Sequence, residues 1–379
     1  MFETDLQLES SATMVMNNMA MEKKAHGERV YNLSAGEPIL PAHPAIAKAA
    51  REAIEQGKTL YPPVAGIPEL RRVAAQWMRN QYGTRYEVAN TLVTCGGKFA
   101  IFSALQAFIK PGDEVIIIAP YYVSYPSIIR LFGGIPKIVH TDPAHWKATA
   151  DQIEAVCTNK TRMLILNNGS NPTGVLYSRQ ELKVILAVAK KHNLMTISDE
   201  VYSALVYEGE YVSAGSFPEF HDNLLLVQSC SKHFAMTGWR VGIVFGPEQA
   251  IKILANIQGQ STTGTSSVSQ WAAVAAFTNA DEISSTVREA MRKRRDTFVK
   301  TFIELFSCSL PSPASALYSF IPLSSFGTAE KSSVVFCERM MREANVALVP
   351  GLAFGAEGYA RASFGASESE LVEALRALT

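Results

Sequence analysis

The chain has 379 residues, with 35 Lys and Arg balanced by 35 Asp and Glu, so it has no net charge to draw nucleic acid or an acidic membrane surface. Small molecules are the expected partners. At 47% hydrophobic and 18% charged it can bury a large core, and its length suits two domains, or one large domain with an appendage.

The opening "MFETDLQLES" lacks the basic-then-apolar pattern of a secretory signal, and no apolar run approaches the roughly 18 residues that cross a bilayer. A cytoplasmic location is expected. The next strong signals are short β-rich runs ending in Gly, Pro, Asn or Ser: "TLVTCGG" (91–97), "DEVIIIAP" (113–120), "RMLILNNGSNP" (162–172), "LMTISDE" (194–200) and "LLLVQSCS" (224–231). Alternating with helical patterns, such continuous runs predict an α/β fold with a mainly parallel sheet covered on both faces. One intervening helix is marked by a capping box, Ser178 with Glu181, and by Leu182, Ile185, Leu186 and Ala189 on one face; Ser367 with Glu370 opens the last helix. After about residue 285 a charged helical stretch, "REAMRKRRDTF", and a Pro/Ser segment point to a second, smaller domain. The cluster Arg292 to Arg295 is expected to be a solvated helix face. The five cysteines, Cys95, Cys157, Cys230, Cys308 and Cys337, are scattered without a C-x-x-C pair, so they predict buried thiols rather than disulfides or a metal site.

Open parallel sheets bind ligands at the carboxyl ends of their strands. The polar residues ending each run should therefore converge: Gly96, Gly97 and Lys98; Tyr121 and Tyr122; Asn167, Asn168 and Asn171; Asp199 and Tyr202; Ser229 and Lys232. "TCGGKFAIFSAL" is a strand, two glycines and a helix start, a geometry that offers N–H groups and a helix dipole to an anion. It matches neither G-x-x-x-x-G-K-[ST] nor G-x-G-x-x-G, which argues against an ATPase or a dinucleotide enzyme. A lysine (Lys232), a strand-end carboxylate (Asp199), this anion site and an arginine eight residues after the lysine (Arg240) together suit pyridoxal 5'-phosphate. The amine would attach to the cofactor, the carboxylate would keep its ring nitrogen protonated, and the helix start and arginine would hold its phosphate.

In motif order from about Leu33 onward, through "SAGEP", "YPPVAGIPELR", "CGGKFA", "PYYVSYP", "NPTG", "SDEVY", "SKHFAMTGWRVG" and "RASFGASESEL", the chain resembles the class I pyridoxal-phosphate aminotransferases of fold type I, specifically the bacterial short-chain aspartate aminotransferases. The resemblance implies a three-layer α/β fold with a seven-stranded sheet and a smaller α/β domain. It divides the chain into an N-terminal arm with part of the small domain (1–44), a large cofactor domain (45–285) and a C-terminal small domain (286–379). It also implies that Lys232 carries the cofactor and moves the substrate's α-proton. Asp199 pairs with the ring nitrogen, Asn171 and Tyr202 bond the ring oxygen, and Tyr122 stacks on the ring. Gly96, Gly97, Lys98, Ser229 and Arg240 surround the phosphate, with Tyr61 reaching the phosphate of a neighbouring subunit in a homodimer that shares its active sites. Arg361, with the Gly36 backbone, binds the substrate α-carboxylate, and Tyr122 and Asn171 also border the substrate. Lys98 and Thr13 stand where a dicarboxylate's second acid group is recognised.

Three departures bear on specificity: the loop "GQSTTGTSSVSQ" lacks the arginine by which animal and enteric members of the resembled family read a dicarboxylate from the partner subunit, "GEPIL" places Ile39 and Leu40 where the family has Asp-Phe, and Ser315 replaces a glycine in the "SGAFY" turn. The implied reaction moves the amino group of L-aspartate to 2-oxoglutarate, in a ping-pong cycle between the pyridoxal and pyridoxamine forms. Transamination of prephenate or aromatic amino acids, or a β-elimination, are the alternatives. An aminotransferase-like ligand sensor behind a DNA-binding domain is disfavoured, since only about thirty residues precede "NLSAGEP". The arm over Met1 to His26 suits either a lid or a dimer strap.

Overall fold

The computed structural model describes residues 11–379. Their strands are β1 (Tyr31–Asn32), β2 (Thr91–Thr94), β3 (Glu114–Ala119), β4 (Ile135–His140), β5 (Thr161–Asn167), β6 (Met195–Asp199), β7 (Leu224–Ser229), β8 (Gly242–Phe245), β9 (Tyr318–Pro322), β10 (Val346–Ala347), β11 (Val349–Pro350) and β12 (Tyr359–Ser363). Their helices are α1 (Ala12–Ala25), α2 (Pro44–Glu55), α3 (Pro68–Tyr82), α4 (Gly97–Phe108), α5 (Ser124–Leu131), α6 (Ala150–Val156), α7 (Arg179–Lys191), α8 (Cys230–His233), α9 (Glu248–Gly259), α10 (Ser267–Thr278), α11 (Ala280–Phe306), α12 (Ser333–Glu343) and α13 (Glu368–Ala377).

Seven strands form one sheet in the order β2-β8-β7-β6-β5-β3-β4, parallel from β7 to β4, with β8 antiparallel to both its neighbours. All five β-rich runs lie in it. The two remaining strands escaped the sequence reading for local reasons: β4 is a partly exposed edge containing Pro136 and Lys137, and β8 is four residues long. Alternate side chains serve opposite faces, the period-two rule of a pleated strand. Val115, Ile117, Leu225 and Val227 pack with α4, α5 and α9; Ile116, Leu224 and Leu226 pack toward α3, α7 and α10. Three layers result because both faces are apolar.

The chain leaves β3 for β4 on one side and returns to β5 on the other, so the order reverses between β3 and β5. A crevice opens at the carboxyl ends of the strands at such a switch point. The predicted box of α7 forms in full, Ser178 Oγ accepting from Glu181 N at 3.3 Å and Glu181 accepting from Ser178 N at 2.7 Å. At α13 only half of it forms: Ser367 accepts from Glu370 N, without the reciprocal bond.

A second core joins Met16 and Ala20 of α1, Val30 and Leu33 to Phe298, Phe302, Phe336 and Phe364. It backs the antiparallel trio β11-β12-β9 and the parallel pair β1-β10. Helix α11 serves both cores, with Ile283, Val287 and Met291 in the first and Phe298, Val299 and Phe302 in the second. Its basic cluster is a correction to the solvated-face expectation. Arg292 and Lys293 are exposed, but Arg295 continues the inward series Met291, Arg295, Phe298 and is only 5% exposed. It meets Glu208 at 2.8 Å and Asp296 at 2.7 Å, donates to the Pro313 carbonyl and lies over the Tyr207 ring. Arg294 donates to the carbonyls of Gly365 and Ile39. A helix that bridges two cores has little free face, and arginine stems can pack while their heads find carbonyls.

Among the described residues no helix is long and apolar enough to cross a membrane. All five cysteines are unpaired; Cys230 and Cys337 are buried, while Cys95, Cys157 and Cys308 are only partly so.

Candidate active site

Lys232 lies on α8, a single turn that follows β7. Ser229 caps that turn, its Oγ accepting from Ser231 N at 3.1 Å. The lysine amine donates to the Gly36 carbonyl in a cavity of about 440 Å³. Burial lowers its pKa to about 8; Glu37 opposes the shift, Arg361 and Arg240 reinforce it, and Asp199 opposes it. An amine that sheds its proton near neutrality can serve as a base.

Asp199 ends β6 and is 4% exposed. It accepts from Tyr125 Oη at 2.6 Å and from Val201 N at 3.4 Å. Burial nevertheless raises its pKa to about 6, because these donors and Lys232 only partly replace lost water. A buried acid with so few partners suits a cationic ring N–H. Asn167, ending the neighbouring β5, donates to the Asp199 carbonyl at 2.9 Å and accepts from Asn171 N at 2.8 Å, which ties the Asn-Pro-Thr-Gly turn to the strand ends. Ser315 secures that turn from the other side by donating to the Gly174 carbonyl at 2.8 Å, so the hydroxyl absent from the family glycine has a defined partner here.

Arg361, on β12, is 1% exposed and lies over Tyr318 and Phe354. It donates to Asn171 Oδ1 at 3.1 Å and to the Ser34 carbonyl at 2.6 Å, while its Nε has no partner. A buried guanidinium with a free donor needs an anion. Gly36 has no room for a side chain, since a Cβ there would lie 2.0 Å from Tyr318 Oη.

The anion-binding end is built differently. Gly96 adopts φ +86, where glycine is favoured, and a Cβ on it would meet the Arg240 guanidinium at 2.4 Å. Behind it Gly242 is pressed onto the Gly96–Gly97 backbone, where a Cβ would come within 2.4 Å. Arg240 itself is left-handed at φ 57 and donates to the Thr237 carbonyl at 2.9 Å. The first turn of α4, the hydroxyls of Ser229 and Ser231 and this guanidinium are all donors, a set that fits a phosphate. Together with the Lys232 amine and the Asp199 carboxylate, they fit the three chemical ends of pyridoxal phosphate.

The cavity also receives Tyr122, Tyr202, Lys98 and Thr13. Tyr202 Oη bonds Tyr318 Oη at 2.7 Å, Lys98 Nζ is 5.5 Å from the Tyr122 ring centre, and the Thr13 hydroxyl is buried without a partner among the described residues. Two of the strand-end residues expected to converge do not. Asn168 faces away, binding the Val212 carbonyl and Tyr177 N, and Tyr121 borders a separate small cavity. Each is next in sequence to a residue that does point in, Tyr122 and Asn167, at the point where the chain leaves its strand. Tyr61 is 90% exposed, in a surface hollow with Leu60 and the 262–268 loop. Residues passed over in the sequence include Glu37, Tyr125, Tyr318 and Asn17; the first three carried a signal, within "GEP", "PYYVSYP" and the turn that holds Ser315, and Asn17 carried none. Cys230 offers no nucleophile, because burial holds its thiol protonated.

A family model described as aminotransferase class I and II matches residues 28–378. A protein of Thermus thermophilus named aspartate/prephenate aminotransferase is 39% identical over 372 residues, 97% of this chain and 95% of its own. A Streptomyces avermitilis aspartate aminotransferase is 37% identical over 377 residues, covering 97% and 92%. Among solved structures, Thermus thermophilus aspartate aminotransferase with maleate superposes with a TM-score of 0.94 at 36% identity, covering 100% of this chain and 99% of the other. A seven-stranded sheet, a lysine and an aspartate at its strand ends and similarity along nearly the whole chain lead to one assignment: this protein belongs to the class I and II aminotransferases, with the fold-type-I architecture.

Proposed function

We propose that the protein transfers the amino group of L-aspartate to 2-oxoglutarate, using pyridoxal phosphate held by Lys232, Asp199 and the donors around Gly96. The observation that carries this reading is the pair of cationic groups in one cavity: Arg361, buried with a free N–H, and Lys98. A substrate with two carboxylates supplies a partner for each. The aspartate aminotransferases named above support the choice of donor.

When bound, pyridoxal phosphate supplies an electron-accepting ring that stabilises negative charge at the substrate α-carbon and stores the amino group between half-reactions. The chain's own groups do the rest. Arg361 and the Gly36 backbone orient the α-carboxylate, which places the α-hydrogen against the Lys232 amine. With its pKa lowered to about 8 by burial, that amine, once substrate has displaced it from the cofactor, would accept the α-proton from close range and hold it as an ammonium. Asp199 keeps its charge opposite a protonated ring nitrogen, and Tyr125 holds the carboxylate in line. Asn171 and Tyr202 are assigned to the ring oxygen, Tyr122 to the ring face, and Ser229 and Arg240 to the phosphate. Thr13 and Lys98 receive the second carboxylate.

A second substrate is favoured by one feature: Met14 and Ile101 give the same cavity an apolar wall that accepts a ring. Relatives are named for both aspartate and prephenate, and we include prephenate as an alternative amino acceptor. A homodimer is part of the proposal, supported by the exposed pair Leu60 (81%) and Tyr61 (90%), as is a cytoplasmic location. The deciding experiment adds L-aspartate, without a keto acid, to purified holoenzyme. Loss of the yellow absorption band with stoichiometric oxaloacetate confirms the half-reaction; an unchanged spectrum refutes aspartate as donor, and ammonia with pyruvate would indicate elimination.

A further inference from the structure

Helix α1 borders the cavity through Thr13 and Asn17, one turn apart on the same face. Of its residues only Met16 and Ala20 are fully buried, with Met19 and Ala12 partly so, and polar ties add to its placement. One runs from Lys23 Nζ to Asn345 Oδ1 at 2.6 Å, near its last turn. The other is at its middle, where Asn17 Oδ1 accepts from Asn32 Nδ2 at 2.8 Å. Asn32 belongs to β1, held in register against Ala347 of β10. Its own Oδ1 accepts from Ser34 N at 3.1 Å and Ser34 Oγ at 2.7 Å. Ser34 is fully buried, and its carbonyl accepts from Arg361 Nη2 at 2.6 Å. A carboxamide has a donor and an acceptor end, and Asn32 spends one on the helix and the other on the segment that holds the arginine.

We propose that Asn32 is a specificity-determining positioning residue: by joining α1 to Ser34 it sets the Thr13 end of the site against the Arg361 end, and so selects dicarboxylic over monocarboxylic amino acids. The inference rests on the reading of Thr13 and Arg361 as holders of the two carboxylates. Asn32 does not border the cavity, so it acts only through its neighbours. A monocarboxylic substrate engages the Arg361 end alone and is indifferent to where α1 lies.

The test measures single-turnover half-reactions of holoenzyme with L-aspartate and with L-alanine, in Asn32→Leu, Asn32→Asp and Thr13→Ala variants. Asn32→Asp keeps the acceptor for Ser34 and removes the donor to Asn17. Asn32→Asp should lower the specificity constant for L-aspartate about tenfold, the size of one well-placed hydrogen bond, with L-alanine changed less than about twofold; Asn32→Leu, which also releases Ser34 and through it Arg361, should lower both. Dissociation constants of Asn32→Asp for maleate, an unreactive dicarboxylate, should weaken in parallel, and Asn32→Asp should add nothing in a Thr13→Ala background. Equal losses for both amino acids in Asn32→Asp would mean a merely structural role and overturn the inference, as would no change in either. If Thr13→Ala shifts the preference and Asn32→Asp does not, the inference alone fails. If Thr13→Ala leaves the preference untouched, the assignment of Thr13 fails and takes the inference with it.

Discussion

Lys232 is useful because four charges of mixed sign and a loss of water set its proton affinity. Burial and the two arginines lower it, and Glu37, the first opposing charge, raises it. In cofactor-free protein the rate at which Lys232 captures added pyridoxal phosphate should therefore rise with pH through about 8, as the amine loses its proton. Glu37→Gln removes a carboxylate that favours the charged amine, so the rising limb should move to lower pH; a stopped-flow pH profile checks it, and a shift upward contradicts the assignment. Lys232→Ala should cut turnover about 10⁴-fold while the protein still binds the cofactor noncovalently. Lys98→Ala should lower kcat/KM for aspartate by about 10- to 100-fold, the value of a charge-assisted bond, and spare an aromatic donor. Competition between the two donors in one assay measures that preference directly.

At the level of elements, the phosphate end depends on backbone rather than side chains. The positive φ of Gly96 and the contact of Gly242 with the Gly96–Gly97 backbone leave no space for a Cβ. Gly96→Val should weaken cofactor binding at least about tenfold while the fold persists, since strain of this kind costs about 1–3 kcal/mol locally. Equilibrium dialysis with pyridoxal phosphate measures it. The Ser178 box serves only its helix: Ser178→Ala should lower stability by about 1 kcal/mol and leave turnover alone. Its reciprocal bonds were readable because capping is local, whereas Arg295 was not, since its partners Glu208 and Pro313 come from distant segments.

Over the whole molecule, buried acids shape the pH response. Asp199 is raised to about 6 and Glu200 to about 7, each chiefly by burial. A carboxyl whose native pKa is raised stabilises the fold at pH below its unfolded value and loses that contribution as pH climbs through the native one. The cofactor-free protein should thus lose stability between about pH 4 and 7 from these two groups. His233, lowered to about 4 by burial, acts oppositely between about 4 and 6.5, because the native state resists its protonation. Two acids outweigh one imidazole. Glu200→Gln should flatten the fall in urea midpoint between pH 5 and 8; an unchanged slope would show that Glu200 titrates normally.

The α/β class, the five β-rich strands, the α7 cap and the lysine, aspartate and glycine pair were legible from residues alone, because each follows from short-range pattern: period, turn chemistry and polar residues at strand ends. The order of the strands was not, nor was the edge strand β4, whose Pro136 and Lys137 mask its period. Sequence could not say that Asn168 turns away while Asn167 turns in, since pleat direction is decided only when β5 takes its register against β6. It could not place Tyr318 against Tyr202, or join Asn17 to Asn32 and Ser34 to Arg361, residues 327 positions apart. The first exists because β9 packs on the segment after β6, the others because the N-terminal segment closes on β10 and β12, and a pairing between distant segments leaves no periodic trace in either one.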